Sequence, residues 1–174
     1  MKNITKNIVG IIPATGNGSR IGFLPFSKEL FPINVKRNNI DIDSPIIIPV
    51  INYSIYAMKI ANINSLSIII NPNKTDIIKY ILDGNHLGIR DLSYKIQINQ
   101  KGLPSAISIG MGSIKINDIF VLSMPDTIYK PIDSLNKITK KIIEDNCDAV
   151  LGLYPVLNVS KFGMVEFDGD LFNY

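Results

Sequence analysis

The chain has 174 residues, of which 46% are hydrophobic and 19% charged, and its formal net charge is +3. This composition is typical of a globular protein, and because the positive charge is spread thinly it does not favour nucleic-acid binding. The single cysteine, Cys147, excludes an internal disulfide and a cysteine-clustered metal site, and the single histidine, His86, leaves little basis for a histidine triad. We expect Cys147 to be a small apolar residue near a strand and His86 to be a solvated turn residue.

Length and hydropathy indicate one domain without a membrane span. A chain of this length can bury roughly two-thirds of its unfolded surface in a single domain. No apolar run approaches the ~18 residues that cross a bilayer, and the first residues lack the apolar core of a signal peptide. We therefore expect a cytoplasmic protein that has no membrane partner.

The first predicted element is a buried parallel strand over residues 8–12, a short β-branched run that ends at Pro13. The residues that follow are small or conformationally permissive, so their backbone N–H groups can surround an anion: Thr15, Gly16, Asn17, Gly18 and Ser19. Arg20 can bind phosphate with a bidentate guanidinium, and Lys28 can add a compact positive charge. The pattern predicts a site for a polyanionic ligand. The alternative is a plain turn with both cations solvated.

Neither common glycine motif fits this loop. The dinucleotide fingerprint GxGxxG requires a glycine at position 21, but Ile21 stands there and the next glycine is Gly22. The P-loop pattern GxxxxGK followed by Ser or Thr occurs nowhere in the chain. An NAD-binding site and a Walker-type nucleotidase both lose support.

Strands and helices then alternate along the chain. We predict an exposed excursion over 34–44, helices over 52–61 and 76–82, and strands over 66–70 and 93–99, the last with a wetter face that carries Lys95, Gln97 and Asn99. A helix over 103–114 would bury Leu103, Ile107, Met111 and Ile114, and Gly110 and Gly112 would permit close packing. A strand over 118–123, a helix over 131–145 with a face of Leu135, Ile138 and Ile142, and a strand over 149–156 complete the pattern.

This alternation predicts a parallel sheet with helices on both faces, in which ligands bind beyond the carboxyl ends of the strands. The loop at residues 15–20 has that position. Asp126 follows the predicted strand 118–123, where a carboxylate commonly holds Mg²⁺ on a triphosphate. A turn aspartate that caps the next segment is the alternative for Asp126, and a solvent-facing edge residue is the alternative for Gln97.

The loop and the lysine together resemble the signature of the sugar-1-phosphate nucleotidyltransferases, which include the glucose-1-phosphate thymidylyl- and uridylyltransferases. That pattern is close to L-A-G-G-x-G-T-R-L followed, after a spacer, by P-K-x-L-x-P. Here residues 13–21 read PATGNGSRI and residues 27–32 read SKELFP. Thr15, Ser19 and Ser27 depart from the pattern, and the Cβ of Thr15 could crowd a nucleotide. The resemblance implies a three-layer α/β/α, Rossmann-like (GT-A-like) nucleotidyltransferase fold with a mostly parallel central sheet.

The resemblance also implies roles for individual residues. Arg20 and Lys28 would be catalytic, and Asp126 would hold Mg²⁺. Gly163, in the stretch KFGMVEFD, would contact the sugar. The nucleotide would be bound by Ala14, Thr15, Gly16, Asn17, Gly18 and Ser19, with Gln97 and Gly102 reading the base, since an amide can donate and accept at once.

The implied reaction joins a nucleoside triphosphate, with dTTP or UTP favoured, to a sugar 1-phosphate and releases pyrophosphate. Members of the family continue to a Glu-Glu-Lys-Pro-like strand and a second metal-binding aspartate. We therefore expect the chain to be one nucleotidyltransferase domain that lacks the C-terminal part of the family domain. A catalytically inactive nucleotide-binding or regulatory module is the alternative, and an NAD-binding oxidoreductase domain is a weaker one. The sequence leaves the base, the sugar and the oligomeric state open, a homo-oligomer included.

Overall fold

The computed structural model describes residues 7–35, 46–112, 114–158, 160 and 163–165. The elements, in chain order, are β1 (Ile8–Ala14), β2 (Pro32–Val35), β3 (Ile46–Pro49), α1 (Ile51–Ile60), β4 (Ser65–Ile70), α2 (Thr75–Ile81), β5 (Asp91–Ile96), α3 (Leu103–Met111), β6 (Ile119–Leu122) and α4 (Ser134–Glu144). Short 3₁₀ turns lie at Ser19–Ile21, Lys28–Leu30 and Asn85–Leu87. β2 and β3 form an antiparallel pair, and most of the predicted excursion between them lies outside the described residues.

The centre of the fold is a four-stranded parallel sheet in the order β5-β4-β1-β6. The register pairs Ala14 of β1 with Ile70 of β4, and Ile70 with Ile96 of β5. On its other side, β1 pairs Ile11 with Leu122 of β6. Since all four strands run the same way, the loops that follow them meet at one edge of the sheet.

Helices cover both faces of this sheet, which confirms the predicted three-layer arrangement. Successive residues of a strand point to opposite faces, so Ile12 joins one core cluster and Ile11 joins another. The larger cluster, with α1, α2 and α4, contains Ile55, Met58 and Ile77, all fully buried. The smaller cluster lies beneath α3.

The predicted core face of α3 is wrong at Leu103 and Met111, which are each 41% exposed, whereas Ile114 packs against the smaller core cluster as predicted. The helix ends at Met111, and its buried residues are Ala106 and Gly110. A Cβ on Gly110 would lie 2.9 Å from Cγ2 of Ile11, so the helix backbone approaches the sheet more closely than a side chain would allow. The predicted close packing at Gly110 is confirmed. The helix face was misplaced because periodicity was counted from large apolar residues.

The predicted strand over 149–156 is also wrong. These residues form no strand and are mostly exposed, because no strand of the described residues lies beside them to pair with their backbone. Cys147 is exposed rather than packed near a strand. His86 is an exposed turn residue, as predicted, and its ring meets the ring of Tyr80 edge-on at 6.1 Å. Within the described ranges, no helix is long and apolar enough to cross a membrane.

The close contact between α3 and β1 can be tested with Gly110→Ala. The added methyl group would overlap Ile11 and Ile69, so we expect the free energy of unfolding to fall by about 1–3 kcal/mol. The matched control is Gly112→Ala, where a Cβ would come no closer than 3.4 Å to another atom and the change should stay within about 0.5 kcal/mol. Urea denaturation measures both. Equal effects at the two positions would contradict the packing described here.

Candidate active site

A cleft of about 260 Å³ opens at the carboxyl edge of the sheet. Its walls come from the loop after β1, the turn that carries Lys28, the segment between β5 and α3, and the residues after β6. The lining residues are Pro13, Thr15, Gly16, Lys28, Glu29, Gln97, Gln100, Gly102, Leu103, Met124 and Pro125. The structure therefore brings together, in one cavity, residues that the sequence connects only through separate motifs.

The loop after β1 contributes its backbone to this cleft. Gly18 has a φ of +69°, a left-handed conformation that glycine adopts without strain. A Cβ at Gly18 would lie 3.3 Å from Cδ of Lys28, so the lysine side chain runs along the loop at this point. Ala14 is buried at the end of β1, and Arg20 is exposed and lies outside the set of cleft-lining residues. The predicted role of Arg20 stays a prediction.

Lys28 and Asp126, predicted separately, form an ion pair. The lysine Nζ donates to Oδ2 of Asp126 at 2.6 Å, and the two side chains are 25% and 44% exposed. This pair joins the turn after the β1 loop to the loop after β6. Among the described residues there is no group of three or more His, Cys, Asp or Glu side chains that could hold a metal ion. Asp126 is thus a single carboxylate at the edge of the cleft.

Gln97 lines the cleft, but it is buried and does not lie on an exposed strand face as the sequence predicts. It follows β5, its backbone N–H donates to the carbonyl of Ile70 at 2.8 Å, and only 1% of the residue is exposed. The prediction of a wetter face with Gln97 is therefore wrong, and Ile96 and Ile98 are exposed instead, at 54% and 77%. Because β5 is an edge strand that ends at Ile96, the alternation does not continue through residue 98.

The side-chain amide of Gln97 is only half satisfied. Its Nε2 donates to the carbonyl of Gly102 at 3.2 Å, so the two residues are in contact. Its Oε1 is buried and has no hydrogen-bond partner within the described part of the chain. Leaving a buried acceptor unpaired costs free energy, so a donor from a ligand in the cleft would be favoured there.

Sequence reasoning missed a set of amides that brace the loop. Asn17 and Gln100 exchange two hydrogen bonds, each of 2.9 Å, across the cleft. Asn71, which follows β4, donates to the carbonyl of Thr15 at 2.9 Å. The available signal was positional: Asn71 directly follows a predicted strand whose carboxyl end lies beside that of β1.

Sequence reasoning also missed two pairs beneath Lys28. Ser27 donates twice to Asp76, from its backbone N–H and from its hydroxyl, both at 2.6 Å. Lys74 donates to both carboxylate oxygens of Glu29 at 2.7 and 2.6 Å, with side-chain exposures of 7% and 0%. Glu29 is thus a cleft-lining residue whose charge is neutralised from below.

These environments shift two pKa values. Burial lowers the pKa of Lys74, and the hydrogen bond and charge of Glu29 offset this effect only in part. Burial alone would raise the pKa of Asp76, but the hydrogen bonds from Ser27 and from the N–H of Ile77 outweigh it, and the pKa is lowered. Asp76 is therefore held as a carboxylate.

Gly163 is exposed, and no atom of the described residues lies within 4 Å of the position that its Cβ would occupy. It is not one of the residues that line the cleft. Residues 161–162 and 166–174 of the same motif lie outside the described residues. The predicted sugar contact at Gly163 stays a prediction.

A parallel sheet lies between helix layers, with a glycine-bearing loop and a lysine–aspartate pair at its carboxyl edge, so the chain is a three-layer α/β protein. Residues 9–172 match the nucleotidyl transferase family, and the chain belongs to that family.

Two relatives match most of the chain. It is 32% identical over 165 residues to a glucose-1-phosphate thymidylyltransferase of Mycolicibacterium smegmatis, an alignment that covers 92% of this chain and 51% of the relative. It is 25% identical to a low-salt glycan biosynthesis nucleotidyltransferase of Haloferax volcanii, with 91% and 41% covered. The chain thus spans about half the length, or less, of these relatives.

Solved structures confirm the predicted fold. A Bacillus anthracis structure that carries the name glucose-1-phosphate thymidylyltransferase superposes with a TM-score of 0.64 at 22% identity, over 79% of this chain and 50% of that one. An apo UDP-glucose pyrophosphorylase gives a TM-score of 0.60 at 22% identity, over 81% and 56%. The chain therefore has the Rossmann-like nucleotidyltransferase fold.

The buried pair beneath the cleft can be tested by removing one partner. Lys74→Met would leave the carboxylate of Glu29 buried without a counter-charge, so we expect a loss of about 3–5 kcal/mol in the free energy of unfolding. The double variant Lys74→Met, Glu29→Leu replaces both charges with apolar groups and should recover most of that loss. Urea denaturation of the three proteins gives both values. A single-variant loss below about 1 kcal/mol, the size seen for exposed pairs, would contradict the buried pair.

The lowered pKa of Asp76 makes stability depend on pH. Because the folded-state pKa lies below the unfolded one, the carboxylate stabilises the fold above about pH 4 and its contribution is lost as pH falls through the folded pKa. Asp76→Asn should therefore lower the urea midpoint at pH 7, and the difference from wild type should shrink towards pH 3. Asp148→Asn, at an exposed position, serves as control. A gap that stays constant from pH 7 to pH 3 would argue against this linkage.

Proposed function

We propose that this chain carries out nucleotidyl transfer to a sugar 1-phosphate, with dTTP or UTP as the favoured nucleotide, and that it releases pyrophosphate and a nucleotide sugar. The observation that carries this proposal is the joint presence, in one cleft, of an amide with an unpaired buried oxygen and of a lysine. The first suits a base and the second suits a phosphate chain.

The base would lie against Gln97 and Gly102. Thymine and uracil present an imide N–H between two carbonyl oxygens, and Oε1 of Gln97 is a buried acceptor that lacks a donor. Its Nε2 has a second hydrogen besides the one given to Gly102, so the amide can donate to a base carbonyl as it accepts from the base N–H. This supports a pyrimidine with an imide edge.

The phosphates would lie along the loop at residues 15–19. Backbone N–H groups beside Gly16 and Gly18 can donate to phosphate oxygens, and Lys28 places a positive charge where the loop faces the cleft. Arg20 is exposed beside this loop, and its guanidinium would offer a phosphate a bidentate contact. Together they would offset the negative charge of a triphosphate.

Asp126 fits a magnesium ion that the nucleotide carries. Mg²⁺ prefers oxygen ligands and is usually held by one or two carboxylates together with substrate phosphates and waters. A partly exposed single carboxylate at the cleft edge suits that mode and does not suit an all-protein cage. Asp126 would hold the ion, which when bound supplies charge neutralisation to the phosphates.

The chemistry is a displacement at phosphorus. An oxygen of the sugar phosphate attacks the α-phosphorus, a new P–O bond forms in line with the bond to the leaving pyrophosphate, and that bond breaks. Lys28 would stabilise charge on the transferring and leaving groups, and the loop N–H groups would hold the phosphates in place. Positioning and charge neutralisation suffice, so the reaction does not require a histidine base.

Pyrophosphate release with Mg²⁺, glucose 1-phosphate and each nucleoside triphosphate tests this proposal. We expect release with dTTP or UTP, and a fall of about 10²–10³-fold in kcat/KM for Lys28→Ala and for Asp126→Ala, because each loses charge stabilisation at the phosphates. Lys140→Ala, an exposed lysine on α4, is the control and should match wild type. Release that survives both cleft substitutions would refute the assigned roles. Triphosphate binding without any release would favour the inactive nucleotide-binding module instead.

A further inference from the structure

The two residues that flank Lys28 in sequence are both tied down. Ser27 donates to both carboxylate oxygens of Asp76, and Glu29 accepts two hydrogen bonds from Lys74. All four bonds are between 2.6 and 2.7 Å. We refer to Ser27, Glu29, Lys74 and Asp76 as the Lys28 anchor.

Three of the four anchor residues are buried, Asp76 is partly buried, and two of them stand at the start of a helix that packs on the core. Ser27 is 9% exposed and Glu29 is fully buried, so water has little access to the hydrogen bonds that these two residues make. Their partners stand at the start of α2, whose Ile77 and Ile81 are both fully buried in the larger core cluster. The backbone of the turn is closed as well, since the N–H of Leu30 donates to the carbonyl of Ser27 at 2.8 Å.

Lys28 lines the cleft, and its ammonium is paired there with the partly exposed carboxylate of Asp126. Its side chain runs beside Gly18 and ends 2.6 Å from Asp126. A lysine side chain has many rotamers and its charge is a point rather than a planar fork, so its aim depends on where its Cα is held. The hydrogen bonds of Ser27 and of Glu29 hold the Cα of Lys28 from both sides.

Glu29 would be unfavourable here without its partner. It lines the cleft, and an uncompensated carboxylate would repel the phosphates that Lys28 attracts. The ammonium of Lys74 removes that repulsion from beneath the cleft, where it is itself only 7% exposed and does not compete with Lys28 for the ligand.

We propose that Ser27 and Glu29, held by Asp76 and Lys74, are positioning residues that aim Lys28 at the triphosphate. This inference rests on the proposed function, because it takes Lys28 as a phosphate-binding residue. It adds four residues to the site, three of which lie outside the set of cleft-lining residues. They touch no substrate and act only through Lys28.

The test is a double-mutant cycle read by calorimetric binding of dTTP and, separately, of inorganic tripolyphosphate, both with Mg²⁺. We expect Ser27→Ala to weaken binding of both ligands by about tenfold, because a misplaced charge loses much of its effect. In the Lys28→Ala background the same substitution should change affinity by less than about twofold, since nothing is left to position. Ser27→Thr retains the hydroxyl and should restore wild-type affinity, and Ser108→Ala, on the exposed side of α3, is the control.

The outcomes separate this inference from the proposed function. If Lys28→Ala binds both ligands as tightly as wild type, the phosphate role of Lys28 and the positioning role both fail. If Lys28→Ala weakens binding but Ser27→Ala does not, only the positioning role is overturned. Equal losses from Ser27→Ala in both backgrounds would mean a general structural effect and would also overturn it. If Ser27→Ala fails to fold, Asp76→Asn repeats the cycle, because it keeps the side-chain shape but removes one of the two carboxylate oxygens that hold Ser27.

Discussion

The parallel register of β1 between β4 and β6 determines where the polar residues of the site lie. Ala14 pairs with Ile70 and Ile70 with Ile96, so Thr15, Asn71 and Gln97 each leave the sheet at the same level. A shift of one residue would turn the buried side chains of β1 to the wrong face of the sheet. The core on the two faces therefore specifies the register, and the register in turn specifies the site.

The site also contains polar groups that do little for stability. Replacing a buried ion pair by apolar residues is often neutral or stabilising, so the Lys74–Glu29 pair is poorly explained as a source of folding free energy. The unpaired oxygen of Gln97 is not a source of folding free energy either, because a buried acceptor without a donor destabilises the unliganded protein. Under the proposed function both features have a role, the ion pair in holding the turn that carries Lys28 and the unpaired oxygen in accepting a hydrogen bond from the base. The free energy that the buried ion pair and the unpaired oxygen cost is offset by burial of the isoleucine-rich core of β1 and β4.

Local patterns predicted most of the fold because its strands and helices carry large apolar residues at regular spacing. The failures share one physical cause, which is that the deciding contact was distant or small. α3 packs through Ala106 and Gly110, which periodicity does not weigh. Residues 149–156 have a strand-like sequence, but a strand also needs a neighbour, and that is a long-range property.

The residues of the site also fall into two groups, those that a local pattern predicts and those that only the folded structure brings together. The motif resemblance placed Lys28, Gln97 and Asp126 in advance, and the structure gathers them at one edge of the sheet. It did not predict the partners beneath them, because Glu29 and Lys74 are 45 positions apart in sequence and Asn17 and Gln100 are 83 apart. Nothing local in Lys74 or Gln100 distinguishes it from a solvated surface residue. Only the fold makes these pairs.

Gly110 has a consequence beyond packing. α3 begins at Leu103, on the wall of the cleft, and Gly110 touches the sheet about 10 Å further along the same rigid rod. The contact with Ile11 fixes how close α3 lies to the sheet, and the same helix carries Leu103 into the cleft. One wall of the cleft is therefore held by a glycine that does not line it.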